Sequence, residues 1–266
     1  MNTLLQTAVN AARIGGDIIM RHYYNNNVKK LTHKKPSDYV TEVDRESQDA
    51  IVEYILKRFP HHAILAEEEG GGKEGEECRW IIDPLDGTTN FIHHFPVFAV
   101  SVAVERLDDS PRDVSSIEAG AVLNPVSGEL FSAQSGGGAF LNGKSIKVSG
   151  RSKIEDCLIA TGFPFRNKDY LEEFLTIFKR MFNAVSGIRR AGAAAIDLCW
   201  VASGALDGFW EQGLSPWDVA AGSLIVKEAG GTLSDFQGGS GYIWNREIIA
   251  AAPGIHQMML NLICGR

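Results

Sequence analysis

Carboxylates in three short segments are the residues of this chain best suited to chemistry: Glu67-Glu68-Glu69, Asp83-Pro-Leu-Asp86 and Trp217-Asp218. Asp83 and Asp86 follow the hydrophobic run Trp80-Ile-Ile82 and precede Gly87-Thr-Thr89. The end of such a strand is where α/β proteins commonly build sites. Pro84 is expected to end the strand ladder and to hold Asp83 extended, so that the Asp83 and Asp86 side chains converge on one cation while the Leu85 carbonyl adds a ligand. Donors that are all oxygen suit a hard ion such as Mg²⁺. Gly87, Thr88 and Thr89 then offer backbone N–H groups and hydroxyls at the start of a helical turn, where exposed amides and the helix dipole favour an anion. Cation ligands abutting an anion cradle describe a phosphoester site.

Each segment also has a purely structural reading. Asp-Pro-x-Asp-Gly can be a turn capped by carboxylates. The glutamate run, followed by Gly70, Gly71 and Gly72, can be a solvated loop. Asp218 stands in the first turn of an otherwise apolar helix, where the dipole alone favours a carboxylate. A plain turn, however, needs no second acidic cluster and no further motif of the same kind, so the three together favour a shared site. A haloacid-dehalogenase-type phosphatase is the nearest rival by motif; it places a single residue between two aspartates ahead of Gly-Thr and uses the first as nucleophile. Here two residues intervene, which changes the geometry.

Positioning these carboxylates falls to elements that the hydrophobic pattern outlines. Leu4, Leu5, Ala8, Ala11, Ala12, Ile14, Ile18 and Ile19 recur at helical spacing, predicting a helix over 3 to about 24 that Asn25, Asn26 and Asn27 end. A second helix is expected from about 41 to 58, with Ile51, Tyr54, Ile55 and Phe59 on one face and Pro60 as its stop. Short apolar or β-branched runs predict strands over 63–66, 79–82, 98–104, 119–123, 128–133 and 139–141, with turns at Asn124-Pro125 and Asn142-Gly143. Residues 1–150 thus read as an α+β half with an antiparallel sheet that carries Asp83 and Asp86. Residues 151–266 alternate instead, with strands over 157–161 and 207–211 and near Thr232 and Ile248, and helices near 170–182, 193–202, 216–229 and from about Pro253. This second half is α/β and carries Trp217-Asp218, and the two read as one compact catalytic unit. Residues 108–116 look like a polar, exposed loop insertion.

Composition excludes several classes. The chain has 266 residues, 44% hydrophobic and 22% charged, which is ordinary globular usage with length for a sizeable core. A formal charge of −7 without a basic stripe argues against a general nucleic-acid binder. Cys78, Cys157, Cys199 and Cys264 lie far apart with no CxxC or Cys/His pattern, so buried thiols in a reducing cytoplasm are expected rather than a zinc site or a disulfide framework. Neither a basic start with a long apolar run nor a stretch of membrane-spanning length occurs, so a cytoplasmic location without membrane association is expected.

Glu67-Glu68, the string Trp80-Ile-Ile-Asp-Pro-Leu-Asp-Gly-Thr-Thr-Asn90, Trp217-Asp218 and Glu228-Ala-Gly-Gly231 together resemble the inositol monophosphatase family over nearly the whole chain. Asp38-x-Val-Thr-x-x-Asp44, Leu141-Asn-Gly143, Ala160-Thr-Gly-Phe-Pro164 and Arg189-Arg-x-Gly192 make it similar to the bacterial SuhB-type members in particular. The resemblance implies a layered α-β-α-β-α sandwich of the inositol monophosphatase and fructose-1,6-bisphosphatase type, and a homodimer. It implies two or three Mg²⁺ ions ligated by Glu67, Asp83, the Leu85 carbonyl, Asp86 and Asp218, with phosphate held by Gly87 and Thr88. Substrate contacts carry over to Asp86, Gly192, Ala193, Ala194, Glu211 and Asp218, and Asp44 matches an acidic position near the metals. Ala193 departs from the family's usual Thr or Ser, so a hydroxyl contact is expected to be missing. The family's lysine near Pro36 has no single counterpart among His33, Lys34 and Lys35.

The implied reaction is Mg²⁺-dependent hydrolysis of myo-inositol 1-phosphate and related polyol or sugar monophosphates, with lithium sensitivity. Glu67 and Thr88 are the candidates to orient the attacking water, Asp83 is shared between two cations, and no covalent phosphoenzyme is expected. Histidinol phosphate, fructose 1,6-bisphosphate and nucleotide 3′-phosphates are the family's alternative substrates; Glu211 and Arg189-Arg190 favour inositol phosphate, although Arg189 and Arg190 read equally well as an ion-paired interface feature. Some bacterial members are associated with RNA or transcription machinery, so a binding role is the rival class to catalysis.

Overall fold

The computed structural model describes residues 3–25, 31–35, 38–68, 71–107, 116–165 and 167–266. Helix α1 (Thr3–Asn25) buries Leu5, Ala8, Ala12 and Ile19 along one stripe. A hairpin of β1 (Leu31–Lys35) and β2 (Asp38–Thr41) follows, which hydrophobic periodicity did not reveal. Helix α2 (Glu42–Leu56) carries Glu42 and Asp44 in its first turn, where the dipole favours them, and buries Val43, Ser47, Ile51 and Ile55 at helical spacing.

These helices cover one face of an eight-stranded sheet made of β3 (Ala63–Ala66), β4 (Gly71–Lys73), β5 (Cys78–Asp86), β6 (Ala99–Arg106), β7 (Ile117–Asn124), β8 (Glu129–Gln134), β9 (Gly138–Leu141) and β10 (Lys144–Ser145). A short helix, α3 (Thr88–Ile92), lies between β5 and β6. The spatial order is β10-β9-β8-β7-β6-β5-β3-β4. The antiparallel expectation holds for every neighbouring pair except β3 and β5, which run parallel. The reason is topological: the chain reverses into the edge strand β4 and reverses again into β5, which lands on the other side of β3. Alternation sorts the two faces. Trp80, Ile82, Val100, Val102 and Val104 face α1 and α2, whereas Ile81, Ala99 and Ala103 face the opposite way.

The rest of the chain runs β11 (Leu158–Thr161), α4 (Leu171–Ala184), β12 (Gly187–Arg189), α5 (Ala194–Ala202), β13 (Gly208–Gln212), α6 (Pro216–Glu228), β14 (Thr232–Ser234), α7 (Tyr242–Asn245), β15 (Glu247–Ala251) and α8 (Pro253–Cys264). Its five strands form a mixed sheet in the order β12-β11-β13-β15-β14. Helices α5 and α6 are sandwiched between the two sheets, so they are apolar on most sides apart from Asp197, Asp218 and Ser223, and every residue of α6 from 218 to 226 is buried. Helices α4 and α8 cover the outer face, packing Ile177, Met181, Ile255 and Met259 on Ile159, Trp210 and Ile249. The layers therefore run helices, sheet, helices, sheet, helices, as the family resemblance implied. The anticipated loop at 108–116 lies outside the described residues up to 115. Among the described residues, no helix is long and apolar enough to cross a membrane.

Close approach of α6 to the large sheet depends on Gly120 in β7, where a Cβ would stand 3.0 Å from the Ala221 Cα and 3.3 Å from its carbonyl oxygen. The neighbour is helix backbone and cannot turn aside. Gly120→Ala is therefore expected to destabilise by roughly 1–3 kcal/mol through overpacking, read from the urea midpoint. Gly150→Ala, where a Cβ meets nothing within 4 Å, should stay within about 1 kcal/mol of wild type.

Candidate active site

Strand β5 runs through Pro84 rather than stopping there, which corrects the expected strand end. Asp83 pairs with Ser101 and Asp86 with Ala99, so β5 holds one more residue than β6 between those pairs, a β-bulge. In a regular strand, residues three apart point to opposite faces; the extra residue returns Asp86 to the face of Asp83. Proline is accommodated because the bulge requires no ladder N–H at that position.

Asp83, Asp86 and Asp218 offer oxygens that all lie within 4.8 Å of one another. Asp218 arrives on the first turn of α6, whose start is tied to β6 by Ser101 Oγ donating to the Trp217 carbonyl at 3.3 Å. Each aspartate is anchored through one oxygen by a main-chain N–H. Leu85 N donates to Asp83 Oδ1 at 3.0 Å, Ala195 N to Asp86 Oδ2 at 2.8 Å, and Ser215 N to Asp218 Oδ2 at 2.6 Å. Asp218 thus caps its own helix, as the structural reading anticipated, and still reaches the cluster.

Asp83 is fully buried, and its Oδ2 has no hydrogen-bond partner. Burial, then the charges of Glu67, Asp86 and Asp218, push its carboxyl well above the ordinary range, against the lowering effect of the Leu85 N–H. A buried, donor-less oxygen among crowded oxygen ligands fits a hard divalent cation. Glu67, just past β3, is not part of the 4.8 Å group but is near enough for its charge to act on Asp83. Glu69 lies outside the described residues.

Beside the cluster, Thr88 Oγ1 stands 3.1 Å from both Asp44 Oδ1 and the Leu85 carbonyl, so its proton can go to either. Gly87 adopts φ 88°, and a Cβ there would sit 3.0 Å from the Val97 carbonyl and 3.3 Å from the Ala193 Cβ. Asn90 Nδ2 donates to Val97 O at 2.6 Å and to Ala191 O at 2.9 Å, which binds the loop after Gly87 to the segment entering α5. Gly192, Ala193 and Ala194 occupy that segment, and the two alanines are buried, 1% and 6% exposed. Glu211 stands on β13, and a Cβ at Gly162 would overlap its carboxylate, which explains the glycine in Ala160-Thr-Gly-Phe-Pro164. Arg190 stacks on Phe163 and Phe165, 5.3 and 5.4 Å from the ring centres.

Sequence reasoning missed Asp197, which is 1% exposed on α5 with Oδ1 unpartnered. Burial, then the charges of Glu211 and Asp86, raise its carboxyl well above the usual range, while Arg190 opposes the rise. The available signal was a lone carboxylate in an otherwise apolar helix.

Five alternating layers with an acidic cluster at the edge of the middle one define a class of fold and site, and comparison with known proteins identifies the family. The profile of the inositol monophosphatase family matches residues 1–264, and the chain belongs to that family. Nus factor SuhB of Pseudomonas aeruginosa is 45% identical over 268 residues, covering 99% of this chain and 96% of that protein. Among solved structures, extragenic suppressor protein SuhB from Bartonella henselae superposes with a TM-score of 0.92 at 39% identity, covering 98% of each chain. An inositol monophosphatase from Anabaena gives 0.83 at 33% identity, covering 99% of this chain and 96% of that one.

The raised carboxyl of Asp83 sets a sign for pH. Its folded value exceeds its unfolded one, so the native state holds the proton more tightly and metal-free stability falls as pH rises from the ordinary carboxylate range toward the raised value. In EDTA, Asp83→Asn should match wild type below about pH 4 and exceed it at neutral pH. The gap should appear as a Tm increase of roughly 2–4 °C per kcal/mol of relieved repulsion, followed by scanning calorimetry across pH. Adding Mg²⁺ should raise the Tm of wild type and leave that of the variant nearly unchanged.

Proposed function

We propose that this protein hydrolyses myo-inositol 1-phosphate and related polyol or sugar monophosphates, with Mg²⁺ held by Glu67, Asp83, the Leu85 carbonyl, Asp86 and Asp218. The supporting observation is the convergence of aspartate oxygens within 4.8 Å around a buried Asp83 oxygen that no donor satisfies. When bound, Mg²⁺ acidifies water and neutralises charge that gathers on the phosphate and on the departing oxygen.

The chain's own groups do the rest. Gly87 and Thr88 turn main-chain N–H groups toward the phosphate at the start of α3. Thr88 Oγ1 accepts a proton from the attacking water as its own proton passes to Asp44 Oδ1, 3.1 Å away. Glu67 orients the same water. The water oxygen bonds to phosphorus in line as the bond to the alcohol oxygen breaks, the departing alkoxide takes a proton from solvent water, Asp44 returns its proton to solvent, and no enzyme atom bonds to phosphorus. Glu211, Asp86, Asp218 and the main chain of Gly192, Ala193 and Ala194 surround the polyol hydroxyls, with Gly162 leaving room for the Glu211 carboxylate.

A homodimer is part of this proposal. The exposed Phe163 and Phe182 line a groove of about 350 Å³ with Phe178 and Ile188, Phe165 packs edge-on against Phe163, and a second copy is the proposed cover. A second reading, a binding role in transcription, is favoured by the relative whose name is Nus factor.

Phosphate release from inositol 1-phosphate, histidinol phosphate, fructose 1,6-bisphosphate and adenosine 3′,5′-bisphosphate separates these readings when measured with Mg²⁺ or EDTA. Inositol 1-phosphate is expected to turn over fastest, only with Mg²⁺, and with inhibition by Li⁺. Asp86→Asn should lower kcat by about 100-fold or more, the scale set by losing one preorganised electrostatic partner. A faster rival substrate would change the substrate and keep the site. No turnover by a folded, cation-bound protein would overturn catalysis and leave the binding role, which should survive Asp86→Asn in a pull-down.

A further inference from the structure

One turn of α2 reaches three separate segments of the candidate site. Asp44 Oδ1 faces Thr88 Oγ1 at 3.1 Å, Ser47 Oγ donates to the Pro84 carbonyl at 3.1 Å, and Gln48 meets Glu68. Positions 44, 47 and 48 share one helix face, which continues into the fully buried Ile51. The face is therefore anchored in the core directly behind its polar end.

The Gln48 contact differs from the other two. Gln48 Nε2 donates to the Glu68 carbonyl at 3.0 Å, and the Glu68 N–H donates to Gln48 Oε1 at 2.9 Å. One side-chain amide thus closes both hydrogen bonds of a single residue, as a neighbouring strand would. The substitution is needed because β3 ends at Ala66; the parallel ladder gives its last bond as Glu67 N donates to the Ile82 carbonyl at 3.2 Å. Glu68 is 2% exposed, so its main-chain groups need partners away from water, and Gln48 supplies them. Only an amide can accept and donate in this way: a carboxylate accepts alone, and Asn is one methylene shorter.

We propose that Gln48 is a positioning residue for the cation site, holding the main chain of Glu68 on both sides and thereby fixing where the adjoining Glu67 carboxylate stands relative to Asp83, Asp86 and Asp218. The proposal rests on the cation-binding reading above. The three aspartates are held by their own main-chain donors, Leu85, Ala195 and Ser215. Glu67 comes from a different segment: its own N–H makes the last ladder bond of β3, to the Ile82 carbonyl, and the chain leaving it is gripped at the next residue by Gln48.

Cation binding to the full-length, EDTA-stripped protein tests this without turnover. Titration calorimetry with Mg²⁺ and with Mn²⁺ should show Gln48→Leu weakened by about 10–100-fold, the range for residues that orient a metal ligand. Its Mg²⁺-induced Tm increase should shrink accordingly, and saturating Mg²⁺ should restore most of kcat. Gln48→Glu is nearly isosteric, keeps the acceptor for the Glu68 N–H and loses the donor to its carbonyl, so it should fall between wild type and Gln48→Leu. It carries the test in a chain whose packing volume is unchanged. Ile51→Val, a core control on the same face, should lower the metal-free Tm while leaving cation affinity within about twofold of wild type, since it removes only a buried methylene. Wild-type affinity in both Gln48 variants would overturn this inference and leave the cation reading intact. Absence of cation binding by wild type would overturn that reading, and the inference with it.

Discussion

Mutual repulsion among Asp83, Asp86 and Asp218 is the constraint around which the molecule is organised. Two ionised carboxylates 4.8 Å apart repel by about 3 kcal/mol at an effective dielectric near 20. Three such pairs amount to a large part of the 5–15 kcal/mol that typically holds a domain together. The chain resists spreading them by tying each to a main-chain N–H, so relief comes from protonation or from a cation. The raised carboxyl of Asp83, the most deeply buried of the three, is the protonated form of that relief.

Bringing the three together takes more than one element. The bulge in β5 re-aims Asp86, and the same strand fixes Asp83 through the Ser101 pairing. Ser101 also holds the entrance of α6, so one residue of β6 locates both a sheet carboxylate and a helix carboxylate. Asp86 in turn accepts from the first turn of α5, where unpaired amides seek an acceptor. Helices α5 and α6 can serve as these supports because they are buried between sheets and have little freedom to shift. The bulge, the serine and the two helix starts therefore act as one frame.

Much of this was legible in the residues, and what was not has local causes. Long helices and the β6–β8 meander follow from periodicity sustained over many residues, and the three acidic segments follow from residue types concentrated in short strings. Short elements such as β4, β12 and α7, with three or four residues each, carry too few positions for a period to emerge. Pro84 was read as a terminator because proline lacks the ladder donor; the bulge, a tertiary feature, removed the need for that donor. Gln48 and Asp197 escaped notice because a single polar residue on a helix reads as surface until packing places it. Each comes near a site residue only through the fold: Gln48 hydrogen-bonds Glu68, and Asp197 stands where the charge of Glu211 acts on it.

The layers also differ in what they contribute. Three apolar cores, one under each outer helix layer and one enclosing the middle helices between the two sheets, hold the molecule without reference to the acidic cluster. Asp83 and Asp86 belong to the large sheet, Asp218 to the middle helices, and Glu211 to the second sheet. Repulsion of Asp218 by Asp83 and Asp86 therefore acts between layers, whereas that between Asp83 and Asp86 stays within β5. The mobile response to an uncompensated cluster is then a local loosening where β5, α5 and α6 meet, with the outer cores intact. On the proposed reading, a cation shared by residues of the sheet and of α6 would oppose that loosening directly, because it would turn the repulsive contact between layers into a bond between them. Occupancy of the site and the rigidity of its own frame are thus one equilibrium, set by the same carboxylates that would do the chemistry.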